Sequence, residues 1–245
     1  DMLIRCVWEH NGDDSILYAD SFPGAFARGR SLAEAVGKMA AETASYLRWR
    51  GEAVPGTIEP VLVQEKESDL TVSDADSDVI FDTEKQPLRA EEYEALKALA
   101  LKSAEDFQAL YEAVPDPDRS CMPERRTFYG AVPRTAREMY EHTKNVNSYY
   151  FGEIGVQADN EGTISDCRRR GFLLLEGQPD FLKNRVFGGS YGEEWSLRKV
   201  LRRFVWHDRI HAKAMYRMAL RTFGEGVPNV FCFDVPPRPD ERRGI

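Results

Sequence analysis

A chain of 245 residues with 42% hydrophobic content is long enough to bury a substantial core, as one large domain or two small ones. Its net charge of −8 sits at one end: residues 1–83 carry sixteen acidic and seven basic side chains, residues 84–245 twenty-five and twenty-six. That asymmetry divides the chain into modules at 1–83 and 84–231 with a tail at 232–245, and the acidic first module lacks the Lys and Arg that nucleic-acid phosphates require.

No apolar run reaches the roughly 18 residues of a membrane helix. The start, DMLIRCVWEHNGDD, lacks the basic-then-apolar order of a signal peptide. A cytoplasmic protein with neither nucleic-acid nor membrane partners is expected. Cys6, Cys121, Cys167 and Cys232 are scattered without CxxC spacing, which argues for reduced thiols rather than disulfides or a thiolate zinc knuckle.

In chain order, LIRCVWEH is an apolar run with imperfect alternation and reads as a strand. NGDD makes a turn, SILYADSF a second strand, Phe22-Pro23-Gly24 a bend and AFARG a short third strand. SLAEAVGKMAAETASYLRWRG is a helix with Ser31 as N-cap, Glu34 at the capping-box position and Gly51 as its stop. Two further strands are expected at Pro60 to Gln64 and Val79 to Phe81, separated by an acidic loop. From Pro87 the periodicity becomes helical, with Tyr93, Leu96, Ala100, Ala104, Phe107 and Leu110 on one stripe, until three prolines in VPDPDRSCMP break it. A second helix is expected over about Val132 to Gly152, a third from near Ile164 and a fourth over about Glu194 to Phe223. The last ten residues read as disordered.

Three of the four histidines fall on apolar helical stripes. His207 and His211 are four residues apart, one turn above the other on the same face. They continue the stripe Leu197, Leu201, Phe204 toward Ala214 and Met218. His142 continues Val132, Ala136, Met139 toward Val146 and Tyr149. Neutral imidazoles on buried faces suit either hydrogen-bonded core positions or a metal, and three match the protein ligands of a catalytic zinc with one position open.

Around them, Asp208 and Glu141 flank the histidines as candidates to orient the rings or to act as general bases, although helix neighbours diverge by about 100° and solvated surface is the plainer reading. Tyr149 and Tyr216 are pocket candidates and otherwise core packing. Arg198, Arg202, Arg209 and Lys213 make one side of the last helix basic, which suits either an anionic ligand or a solvated face. Gly188 to Gly192 lacks a phosphate-loop order and reads as a flexible loop that would cover the pocket.

Two stretches resemble known families. The strand pair before Phe22-Pro23-Gly24, with Gly29 and SLAEAV after it, resembles the HicB-like domain over roughly residues 1–65. TAREMYEHTKNVN and WSLRKVLRRFVWHDRIHAKAM resemble the second and fourth helix motifs of the DinB-like metal-binding family over roughly residues 87–225. Together they imply an α+β chain in which a small sheet-plus-helix domain precedes an all-α four-helix bundle. The DinB-like resemblance implies His142, His207 and His211 as ligands of a divalent ion, zinc or nickel, with open coordination positions. It further implies a metal-dependent thiol S-transferase or hydrolase acting on a small molecule such as a low-molecular-weight thiol. The alternative is a binding or regulatory protein whose HicB-like module contacts a partner or a second copy of the chain.

Overall fold

The computed structural model describes residues 1–224 and 226–235. The chain opens with strands β1 (Met2–Asn11), β2 (Asp14–Ala19) and β3 (Phe26–Gly29), then helix α1 (Leu32–Trp49) and strand β4 (Ile58–Glu67). They form one sheet in the order β3-β2-β1-β4, with β1 antiparallel to β2 and parallel to β4. The helical connection α1 is what permits the parallel pairing, since parallel neighbours need a long crossover. Helix α1 starts where Ser31 Oγ accepts the Glu34 amide at 3.2 Å, while the Glu34 carboxylate accepts from the Arg30 amide.

The imperfect alternation of β1 has a physical cause: both faces of the sheet are covered. Ile4, Cys6, Leu17 and Ala19 pack toward α1, whereas Val7, Ile16, Tyr18 and Phe26 pack against Val72, Val79, Phe81 and Trp206. Val79 to Phe81, expected as a strand, is buried non-strand chain on that second face. Glu9 is buried there too, accepting hydrogen bonds from Tyr18, Ser77 and the amides of Asp78 and Val79. Its burial raises the carboxyl pKa against these stabilising bonds.

The second half contains α2 (Ala90–Glu112), α3 (Ala136–Lys144), α4 (Val146–Gly152), α5 (Ile164–Glu176) and α6 (Leu197–Phe223). An all-α four-helix bundle, the expected fold of this half, is not what the chain forms. The expected second helix is two short ones meeting at Asn145, and two-stranded hairpins interrupt the helices: β5 (Arg126–Thr127) with β6 (Gly130–Ala131), and β7 (Phe187–Gly188) with β8 (Glu194–Trp195). The break at Asn145 is held by polar chemistry. Thr143 Oγ turns back to the Met139 carbonyl at 2.7 Å. One turn on, the Asn147 amide donates to the carbonyls of Asp159 and Cys167 at 2.7 and 3.1 Å.

Helix α6 decides the architecture. Every residue from Lys199 through Arg209 is buried, because α2, α3 and α4 pack on some of its faces while the sheet's second face and the 72–84 segment take the others. Its arginines are consequently internal. Arg202 binds Glu84 at 2.5 Å and Arg209 binds Glu42 of α1 at 2.6 Å. The start of the expected tail is packed as well: Ser45 donates to the Cys232 carbonyl at 2.6 Å, next to Phe231, which stacks on Trp49 at 5.2 Å. The last ten residues, read as disordered, lie outside the described residues.

Gly24, in the turn between β2 and β3, lies against Val205 of α6. Its φ is +96°, and a Cβ built there would lie 2.4 Å from Val205 Cγ1. Gly24→Ala is therefore expected to cost about 1–3 kcal/mol through overpacking plus left-handed strain. Urea unfolding measures it, and a midpoint equal to the wild type would show that the contact yields freely.

Candidate metal centre

Helix α3 is fixed at its start by a reciprocal cap, in which Thr135 Oγ accepts the Glu138 amide and the Glu138 carboxylate accepts the Thr135 amide. This sets the rotation of its single buried stripe and places His142 in its last turn, against α6. His207 and His211 project from one face of α6 toward it, as their four-residue spacing requires. The structure thus brings together all three histidines expected from the sequence.

One nitrogen from each ring lies within 4.8 Å of the others, and His207 Nε2 is 3.1 Å from His211 Nε2. Ring centroids are 5.3 Å apart for His142 and His207, 4.6 Å for His142 and His211, and 4.4 Å for His207 and His211. Nitrogen ligands at 2.0–2.1 Å from a tetrahedral zinc stand about 3.3 Å from one another, so the trio needs only small side-chain adjustments to close on one ion.

The electrostatics favour neutral imidazole. His207 is buried, and burial followed by the neighbouring His211 and His142 pushes its pKa well below the ordinary value. His211 is lowered likewise by burial and then His142, and His142 by burial. His207 Nε2 and His211 Nε2 hydrogen-bond to each other, and among the described residues no carboxylate hydrogen-bonds to any of the three rings. His207 Nδ1 is buried without a hydrogen-bond partner among the described residues. A divalent cation would satisfy the inward lone pairs of all three rings at once.

Access is asymmetric. A cavity of about 720 Å³ reaches His142 and His211, while His207 is not among its lining residues. Its walls come from distant stretches of chain: β3 and α1 on one side, α6 on the other, and the hairpin turn with Tyr129 at the rim. Tyr129 donates to the Asp74 carbonyl at 2.5 Å, tying that turn to the segment after β4.

The remaining candidates fall elsewhere. Asp208 is not solvated surface; it is fully buried, bound by Arg168 at 2.5 and 3.0 Å and by Ser103 at 2.5 Å, and so faces away from the histidines' shared space. Glu141 is exposed and pairs with Lys144 at 3.3 Å. Tyr149 packs toward Trp195 at 5.8 Å, and its neighbour Tyr150 is the tyrosine edge-on to His207, at 5.9 Å. Tyr216 is half-buried core packing. Arg198 caps the carbonyls of Gln86 and Pro87, and with Arg202 and Arg209 engaged in ion pairs, only Lys213 of that basic side lines the cavity. The Gly188 to Gly192 loop is pinned to Glu153 by Ser190 and does not line the cavity.

Sequence reasoning missed the contributions of β3 and α1, which bring Arg28, Lys38 and Glu42 to the cavity wall. A usable signal lay in the polar face of α1, where Lys38, Ala41, Glu42 and Ser45 recur at helical spacing beside small residues. No helix among the described residues is long and apolar enough to cross a membrane. The four cysteines are free, with Cys121 exposed and Cys6 and Cys167 buried. The chain matches no protein-family model, no curated protein and no solved structure, so its site is argued from geometry alone.

Proposed function

We propose that the protein is a metal-dependent enzyme in which His142, His207 and His211 hold one divalent cation, zinc or nickel, and that it acts on a small molecule by thiol transfer or hydrolysis. The observation that carries this reading is the convergence of three neutral imidazole nitrogens within 4.8 Å, with no carboxylate or thiolate among the described residues to complete the set and a cavity open on one side of it. Three protein ligands with a free position are the pattern of reactive rather than structural sites. A cation so held lowers the pKa of a water or thiol that reaches its open position and supplies a nucleophile at neutral pH.

The chain's own residues do the rest. Burial keeps the three rings unprotonated, so the lone pairs stay available at pH 7. Tyr150, edge-on to His207, packs the buried side of the site and leaves the approach to the His142 and His211 edge.

Elemental analysis of protein purified without a polyhistidine tag tests the proposal. Wild type is expected to retain close to one equivalent of metal, and His207→Ala to fall to background. Equal metal content in both would sink the metal reading. It would leave the alternative of a binding protein, for which the exposed edge strand β4, with Val61, Leu62 and Val63 at 38–43% exposure, is the natural contact surface.

A further inference from the structure

The cavity beside the histidines carries an uneven charge, and the imbalance lies on α6. Each acidic group of the wall is already answered: Glu42 by Arg209 at 2.6 Å, Asp74 by Arg125 at 3.0 Å, and Asp234 by Arg48 at 3.1 Å. Lys38 is likewise paired, with Glu34 at 2.7 Å. Lys213 and Arg217 also line the wall, and neither makes an ion pair with any described residue. They sit four residues apart on one helix face, and the small Ala214 beside them lines the same cavity.

Like charges at that spacing repel, and a protein of net charge −8 has acidic groups in plenty to relieve them. Lys213 lies 6.0 Å from the Phe233 ring centroid, and two cations without an ion pair in a concave wall focus a positive potential there. The cavity, about 720 Å³, falls in the 300–1,000 Å³ range typical of small-molecule sites. Along the helix axis Lys213 and Arg217 stand about 3 and 9 Å beyond His211 and are rotated from it by about 160° and 120°, so the cavity they share with His211 wraps around this side of α6.

We propose that this cavity is the substrate pocket and takes a small organic anion, with its carboxylate or phosphate on Lys213 and Arg217 and its other end at the His142 and His211 edge. Helix α1 of the N-terminal module supplies the opposite wall through Lys38, Ala41 and Glu42. The sheet-plus-helix module is then part of the binding site. This assignment rests on the metal-centre reading for the orientation of the ligand, and the anion contact can be tested apart from it.

Isothermal titration of succinate into metal-free protein reads the anion contact alone. Lys213→Met with Arg217→Met is expected to weaken binding at least tenfold, the exchange Lys213→Arg with Arg217→Lys to retain it, and Ala41→Phe on the exposed face of α1 to block it. A second arm uses cobalt-loaded protein, comparing mercaptosuccinate with the neutral 1-thioglycerol by the cobalt visible spectrum. Wild type is expected to favour the anionic thiol at least tenfold, and the double Met variant to lose that preference with its cobalt content unchanged. Absence of succinate binding, or binding indifferent to all three variants, would overturn the proposal. Succinate binding that follows the variants in a protein that takes up no cobalt would leave the anion pocket standing and remove the metal centre.

Discussion

Asp208→Ala is expected to lower the unfolding free energy by about 3–5 kcal/mol, because it strands a buried arginine. Arg168 is 1% exposed and Asp208 fully buried, and the pair is bidentate at 2.5 and 3.0 Å. Ser103 also donates to Asp208 and the Ala100 carbonyl accepts from Arg168 at 2.9 Å, while Arg168 Nε is buried without a partner among the described residues. Removing the carboxylate leaves a guanidinium in a site where it also stacks 4.2 Å from the Phe204 ring, and its burial keeps solvent from replacing the lost partner. Against a total stability of about 5–15 kcal/mol, that loss takes a large share. Chemical denaturation monitored by tryptophan fluorescence reads it directly. A loss below about 1 kcal/mol would mean that the pair is solvated in practice, as exposed ion pairs are.

Zinc added to metal-free protein at a hundred times its Kd is expected to stabilise the fold by about 2.7 kcal/mol. For a chain of this size the gain corresponds to a rise in Tm of about 5–10 °C. His211→Ala should show no such rise. The pH dependence follows from the direction of the histidine shifts. In the folded, metal-free protein all three imidazoles have lowered pKa values, burial being the leading cause. Unfolded histidines titrate near pH 6.5, so below that pH the unfolded chain binds more protons than the folded one. Stability carried by the neutral cluster is therefore fully present above about pH 6.5 and declines as the pH falls. Metal-free wild type should lose more Tm between pH 7 and pH 5.5 than His207→Gln does, and zinc should still bind below pH 6.5 because the folded rings stay neutral there. Parallel losses in the two proteins would show that the rings are not held neutral by burial.

The histidine centre was legible because it depends on local spacing: His207 and His211 share a face at four residues, and His142 rides a stripe capped by Thr135. The start of α1 at Ser31 was legible for the same reason, since its cap is local chemistry. The surroundings of α6 were not. Periodicity assumes one buried face and one wet one, and it assigns Asp208, Arg202 and Arg209 to water. A helix covered by other helices and by a sheet has no wet face over that stretch, and its charges are answered by Arg168, Glu84 and Glu42 from other parts of the chain. The expected second helix of a four-helix bundle is broken at Asn145, and Asn147 just beyond the break bonds to the Asp159 carbonyl and to the Cys167 carbonyl of α5, contacts that periodicity does not register. The cavity wall was invisible because Lys38 and Lys213 meet only through the docking of α1 on α6.

The burial of α6 also sets an order of events during synthesis. Glu42 is made 167 residues before Arg209, and Gly24 is made 185 residues before the arginine that donates to its carbonyl. At translation rates of about 5–20 residues per second, the sheet and α1 wait on the order of ten seconds or more for the helix that completes them. Throughout that interval Val7, Tyr18 and Phe26 lack their Trp206 cover, and a strand edge stands open beside them. The nascent chain is most vulnerable to mispairing then, and the acidic character of its first 83 residues acts as mutual repulsion between unfinished copies.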